Sequence, residues 1–235
     1  MSVSAELRPD QAAQRDFLQS RIQSMQTDHA THPSLPGLPI VPQLLPGGLR
    51  AGAAYSLIGP ASTVALALLA EPSAQGSWCG VLGLPHLGCE AAARWGVDLG
   101  RLILVPDAGT QWMRVVAALT DILTVVVARP PAQVSPADAS RLNARLRAQG
   151  NTLLLLGEWP GSEATLHITP TQWSGIARGH GALGDREIEV TTVGRGRPQH
   201  TRLLFPRNNP RHTTRVSPPT DAVSAASRSP RLRAL

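Results

Sequence analysis

The stretch Ala54-Tyr55-Ser56-Leu57-Ile58-Gly59-Pro60-Ala61-Ser62-Thr63, followed by Val64-Ala65-Leu66-Ala67-Leu68-Leu69, reads as a strand, a tight turn and an apolar helix. A strand that turns through glycine into a helix is the frame on which nucleotide-binding α/β folds hold phosphate, because the helix start offers free N–H groups. A working loop of the form G-x-x-x-x-G-K-[ST] needs its second Gly so that backbone amides wrap the phosphates. It needs Lys for their charge and Ser or Thr for Mg²⁺. Counting from Gly59, those three slots hold Val64, Ala65 and Leu66. No gap restores the lysine, since all 22 basic residues are arginine. Gly59, Pro60, Ser62 and Thr63 are therefore read as a degenerate phosphate loop, with the frame kept and the chemistry removed.

Outward from this stretch, short apolar runs alternate with helical patterns. Strands are expected at 54–58, 78–83, 101–105, 122–128 and 152–157, and helices at 62–71, 87–95, 110–120 and 137–149. Continuous apolar strands suit a parallel sheet covered on both faces. The last helix carries its own punctuation, with Ser135 and Pro136 at its start and Gly150 after its end. Such alternation predicts an α/β fold with right-handed crossovers. After residue 158 the segments 164–169, 186–194 and 201–205 alternate polar and apolar residues. They are expected to extend the sheet edge as antiparallel strands.

The predicted organisation is an N-terminal helix within 1–26, a Pro/Gly-rich linker at 27–48, a domain at 49–206 and a disordered basic tail at 207–235. The helix, over residues 9–26, starts at Pro9 and carries the apolar stripe Phe17, Leu18, Ile22 and Met25. That stripe is the candidate partner or self-association interface; folding back onto its own domain is the alternative. The formal net charge is +6. The last thirty or so residues hold six arginines against Asp221, so most of the positive charge belongs to the tail and not to a basic domain.

No apolar run is long enough to span a membrane without interruption, and the N-terminus lacks a signal-peptide layout. Two cysteines make no disulfide framework. A cytoplasmic protein with no membrane association is expected.

Several pieces resemble a known family. The run Leu45-Pro46-Gly47-Gly48-Leu49-Arg50-Ala51-Gly52 resembles the approach to the phosphate loop in RecA-type recombinases. So does Ala92-Ala93-Arg94-Trp95-Gly96-Val97-Asp98-Leu99-Gly100-Arg101-Leu102. The segments Gly83–Gly88, Val105–Gly109, Val134–Ala137, Gly157–Gly161 and Val193–Arg197 are similar to actinobacterial ImuA-type (ImuA-prime) proteins, RecA-like accessory factors of an error-prone DNA synthesis complex. The resemblance spans about residues 45–197. It implies a RecA-like, mostly parallel sheet flanked by helices with an antiparallel C-terminal extension. It also implies a partner, ImuB, an inactive relative of Y-family polymerases, and through it a C-family error-prone polymerase.

Measured against a functional RecA site, Leu84-Pro85-His86 stands where a catalytic Glu belongs, and Arg129 where strand 122–128 should end in a Mg²⁺-binding Asp. The expectation is a noncatalytic adaptor in DNA-damage-induced translesion synthesis, with no catalytic residue, cofactor or metal. The alternatives are an ATP- or DNA-binding RecA paralogue that regulates recombination and repair, and a SulA-like cell-division inhibitor.

Other residues carry weaker signals. Arg178 and His180, in the glycine-rich run 175–184, and Arg195 with Arg197 are candidates for weak, nonspecific DNA contacts through phosphate. A plain hairpin connection is the alternative for the run 175–184, and a solvated, solubilising role for Arg195 and Arg197 with the basic tail. Trp159 and Trp173 offer base stacking or local packing, and Trp112 is expected in the core. Cys79, Cys89 and His86 lack a fourth ligand at zinc spacing and are read as ordinary, buried cysteines beside a histidine. Glu158, at a strand end, is read as a loop or helix-capping acid, with a catalytic carboxylate as the alternative. Arg129 is either a surface arginine or a group that favours phosphate or an acidic partner.

Overall fold

The computed structural model describes residues 33–174, 184–194, 196–207 and 209–216, with backbone only at 170–173. Its centre is a nine-stranded sheet in the order β3-β2-β4-β5-β1-β6-β7-β8-β9. The strands are β1 (Ala54–Ile58), β2 (Cys79–Leu82), β3 (Leu102–Val105), β4 (Val125–Ala128), β5 (Thr152–Leu155), β6 (Ala164–Trp173), β7 (Arg186–Val193), β8 (Gln199–Phe205) and β9 (Thr214–Arg215). The helices are α1 (Val41–Leu44), α2 (Ser62–Ala74), α3 (Cys89–Arg94), α4 (Trp112–Ile122) and α5 (Pro136–Gln149).

Strands β2, β4 and β5 are buried at every residue, as their uninterrupted apolar sequences require in a parallel sheet with both faces covered. Helices α2 and α3 cover one face together with residues 38–49; α4 and α5 cover the other. Helix α2 is apolar almost all round and correspondingly buried, with Val64 through Ala70 inside. Helix α5 starts where its capping box places it. The Ser135 hydroxyl accepts from the Asp138 amide at 3.1 Å, and Gly150 closes the end in the left-handed region at φ 71°.

Three expectations change. Residues 33–48, the described part of the expected Pro/Gly-rich linker, belong to the domain. Leu38, Ile40, Val41, Leu44 and Leu45 are core residues, Ser34 bridges to Arg50, and the hydroxyls of Thr192 and Thr201 donate to the α1 carbonyls of Leu44 and Gln43. The apolar residues between the prolines supply the face that β6 to β8 need, and the proline content masked that pattern.

Second, β6 is parallel to β1 and antiparallel only to β7. Residues 156–163 cross over β1 without a helix. They are pinned by Trp159, whose backbone N–H donates to the Ser56 hydroxyl at 2.9 Å and whose indole donates to Asn143 at 2.8 Å. Asn143 in turn donates to the Pro160 carbonyl at 3.2 Å.

Third, the domain does not end at 206. Arg211 forms an ion pair with Glu71 at 2.6 Å and donates to the Trp95 carbonyl, and β9 pairs with β8. The Trp95 ring stands edge-on to Phe205, with centroids 5.4 Å apart. The expected helix at 9–26 and the tail from 217 onward lie outside the described residues.

Two predictions follow from this packing. Truncation after Pro206 removes the Arg211–Glu71 pair and β9, at a cost of about 2 kcal/mol or more, so the melting temperature falls by several degrees. Truncation after Val216 leaves it unchanged.

The chain's single tyrosine, Tyr55, is fully buried, and burial pushes its phenol up to about 12 from 10.0. Burial likewise raises Cys79 to about 12 from 9.0. Both groups fold in their neutral forms. Their contribution is complete below the unfolded pKa values and is lost as pH rises from about 9 towards 12. Tyrosinate absorbance of the native protein should therefore appear near pH 12, and appearance near pH 10 without unfolding would contradict this environment.

Candidate functional site

At the C-terminal end of β1, where open α/β sheets place their ligands, the chain turns into α2 through Gly59, Pro60 and Ala61. Gly59 has φ 101°, and a Cβ there would collide with the backbone carbonyl of Ile168 on β6. The turn is tight. The Ala61 amide is spent on the Gly59 carbonyl at 2.8 Å, and α2 begins at Ser62 with no side-chain cap. A phosphate-cradling loop presents several outward-facing amides, and this turn has folded one of them inward.

The Thr63 hydroxyl accepts a 2.5 Å hydrogen bond from the guanidinium of Arg186, the first residue of β7. Arg186 is partly buried, and that burial lowers its pKa from the usual arginine value. The β6–β7 hairpin thus delivers a cation to the first turn of α2. The sequence reading missed Arg186, because an arginine at the start of an alternating strand carries no signal for what lies 123 positions away.

The neighbouring strand ends follow the same pattern. After β2, Gly83 has φ 75° and its amide is held by the Val105 carbonyl. Leu84, Pro85 and His86 follow, with Pro85 and His86 exposed. After β4, Arg129 is exposed and its amide bonds the Leu82 carbonyl at 2.9 Å. Glu158, beyond β5, is exposed, whereas Trp159 is buried with its indole N–H satisfied, so the packing reading of Trp159 holds. Trp112 is buried as expected.

Cys79 is buried, but Cys89 at the start of α3 is exposed, which corrects its assignment as a buried cysteine. Among the described residues no three or more His, Cys, Asp or Glu side chains converge as metal ligands. Among them, too, no helix is long and apolar enough to cross a membrane.

Of the proposed nucleic-acid residues only Arg197 is among the described residues. The β6–β7 connection leaves at the Gly59 end of the sheet, whereas the β7–β8 turn that carries Arg197 lies at the opposite end. The eight residues of β7 put about 25 Å between the two turns. Arg178, His180 and Arg195 lie outside the described residues, as do Phe17, Leu18, Ile22 and Met25.

A family model for the MT3502 N-terminal domain matches residues 43–161, from α1 through the Trp159 crossover. The chain belongs to that family. It is 31% identical over 169 residues to the uncharacterized protein Rv3395c of Mycobacterium tuberculosis (strain ATCC 25618 / H37Rv), an alignment covering 68% of this chain and 79% of that one. The fold is similar to that of the KaiC-like protein PH0186 from the hyperthermophilic archaeon Pyrococcus horikoshii OT3. The TM-score is 0.51 at 16% identity, over 79% of this chain and 99% of the other. The MT3502-family chain has the expected RecA-like architecture, a mostly parallel sheet flanked by helices with an antiparallel extension.

The close approach of Gly59 to β6 yields a direct test. Gly59→Ala should destabilise the protein by more than about 2 kcal/mol, through its positive φ and the collision with Ile168. A urea melt of this variant that matches the parent would mean that the turn is open enough to rearrange.

Proposed function

We propose that this RecA-like protein is a noncatalytic adaptor in DNA-damage-induced translesion synthesis, with an ImuB-like relative of Y-family polymerases as its direct partner. The observation that carries this reading is the closed turn at Gly59–Thr63. One loop amide is turned inward, the Thr63 hydroxyl is engaged by Arg186, and no lysine exists to meet a phosphate. Phosphoryl transfer depends on positioned charge around the transferred group. Here the sequence has no Lys at all, and Leu84-Pro85-His86 and Arg129 stand where the Glu and Asp that would organise that charge belong.

What the fold retains is a rigid surface. Support for the biological setting comes from the ImuA-type segments between residues 45 and 197, in the chain's own order and spacing. The contact with the partner is assigned to the stripe Phe17, Leu18, Ile22 and Met25, next to the well-anchored segment that begins at Pro33.

The test has two arms. The purified full-length protein should hydrolyse ATP at no more than background rate. Phe17→Ala with Ile22→Ala should weaken binding to a co-expressed ImuB-like protein by more than about 2 kcal/mol, the scale of truncating buried interface anchors. A steady ATPase rate that disappears in Thr63→Ala would overturn the noncatalytic part. Unchanged partner binding by the double variant, with lost monomer stability, would move the stripe into the core.

A further inference from the structure

The end of the sheet opposite Gly59 holds a cavity of about 340 Å³, between the Leu45–Gly48 turn, the start of β1 and β6, and the β7–β8 turn. This is the lower range of ligand-sized pockets, and the lining combines an apolar wall with a few convergent polar groups. It lies a full strand length from the degenerate phosphate loop and is a separate feature.

Three observations define what the cavity can take. The first is a buried donor. Tyr55 is 1% exposed and lines the cavity. Its oxygen accepts the Arg50 amide at 2.9 Å, and its own proton meets no acceptor among the described residues. The phenol stays neutral through the physiological range, so that proton is available for donation.

The second is charge. Arg50 and Glu163 pair at 3.5 Å on the cavity wall, which leaves Arg197 at the rim as the surplus cation among the described lining. Arg197 and Gln199 are exposed, and neither side chain makes a hydrogen bond or ion pair among the described residues. The third is access. A Cβ built on Gly47 or Gly196 would meet nothing within 4 Å, so another backbone can approach both turns closely.

We infer that this cavity is a docking site for an extended peptide segment that presents an acidic group, an Asp or Glu side chain or a terminal carboxylate, towards Tyr55 and Arg197. A carboxylate accepts from a phenol and a guanidinium at once, and charge-assisted bonds of this kind are the stronger class. Apolar neighbours of the acid would lie against Leu45 and Pro46. The two open glycine turns receive the main chain, which a small free acid would not need. The inference deepens the adaptor reading by naming the chemistry of a partner segment. It does not depend on the stripe at residues 17–25, so the two can fail separately.

The probe is an array of nonapeptides built on Leu, Val and Gly, with one to three Asp residues at every placement, internal or C-terminal. It is read with the full-length protein. Acidic peptides should be retained, and their Asn counterparts should bind at least tenfold more weakly. Arg197→Glu, at an exposed side chain with no bond among the described residues, should melt like the parent. It should shift the preference to Lys-bearing peptides, a reversal that a purely structural role would not produce. Retention of no acidic peptide, equal binding of the Asn series, or an unaltered preference in Arg197→Glu would overturn the site. Displacement of the peptides by glutarate at equal concentration would assign it to a small acid and overturn the peptide reading.

Discussion

The crossover of residues 156–163 over β1 is the constraint on which the rest of the arrangement depends. A parallel strand beside β1 requires the chain leaving β5 to return before it can start again. Here it does so without a helix. Burying such a connection exposes backbone polar groups to an apolar face, and each then needs a partner. Trp159 and Asn143 meet that demand, satisfying one another while engaging the Ser56 hydroxyl and the Pro160 carbonyl. With β6 fixed, the antiparallel strands β7 and β8 have only one way to extend the sheet. Their turns therefore fall at opposite ends.

Both ends of the molecule take their character from that placement. At one end β7 begins beside α2, so Arg186 reaches Thr63 and Ile168 closes against Gly59. The turn that in a phosphate-binding protein would open towards a ligand is here held by its neighbours. At the other end the β7–β8 turn folds towards the Leu45–Gly48 turn and leaves a cavity over Tyr55. One face of the extension is covered by residues 38–49. The other is polar, with Arg202 placed between Glu187 and Glu189.

Much of the fold was legible in the residues. The expected β1 matches the observed Ala54–Ile58, and the other strands and helices of the alternating region were found within a few residues of their observed ends. Uninterrupted apolar runs, the Ser135 cap and the Gly150 stop are local signals whose physics acts within a few residues of chain. The same local reading failed at 33–48, where prolines concealed buried apolar side chains. It failed again at 207–216, where an arginine-rich composition concealed one arginine with a specific partner in Glu71.

The sequence by itself determined that the phosphate-binding residues are missing, because a lysine absent from the chain cannot be supplied by any folding. It determined the alternation of strand and helix, because periodicity and caps are set by near neighbours. Tertiary structure alone decided that Arg186 stands at Thr63, that Tyr55 and Arg197 share a cavity, and that β6 runs parallel to β1. Those pairings join residues far apart in the chain. Their free energies arise only once burial has removed water from both partners, so no local pattern records them.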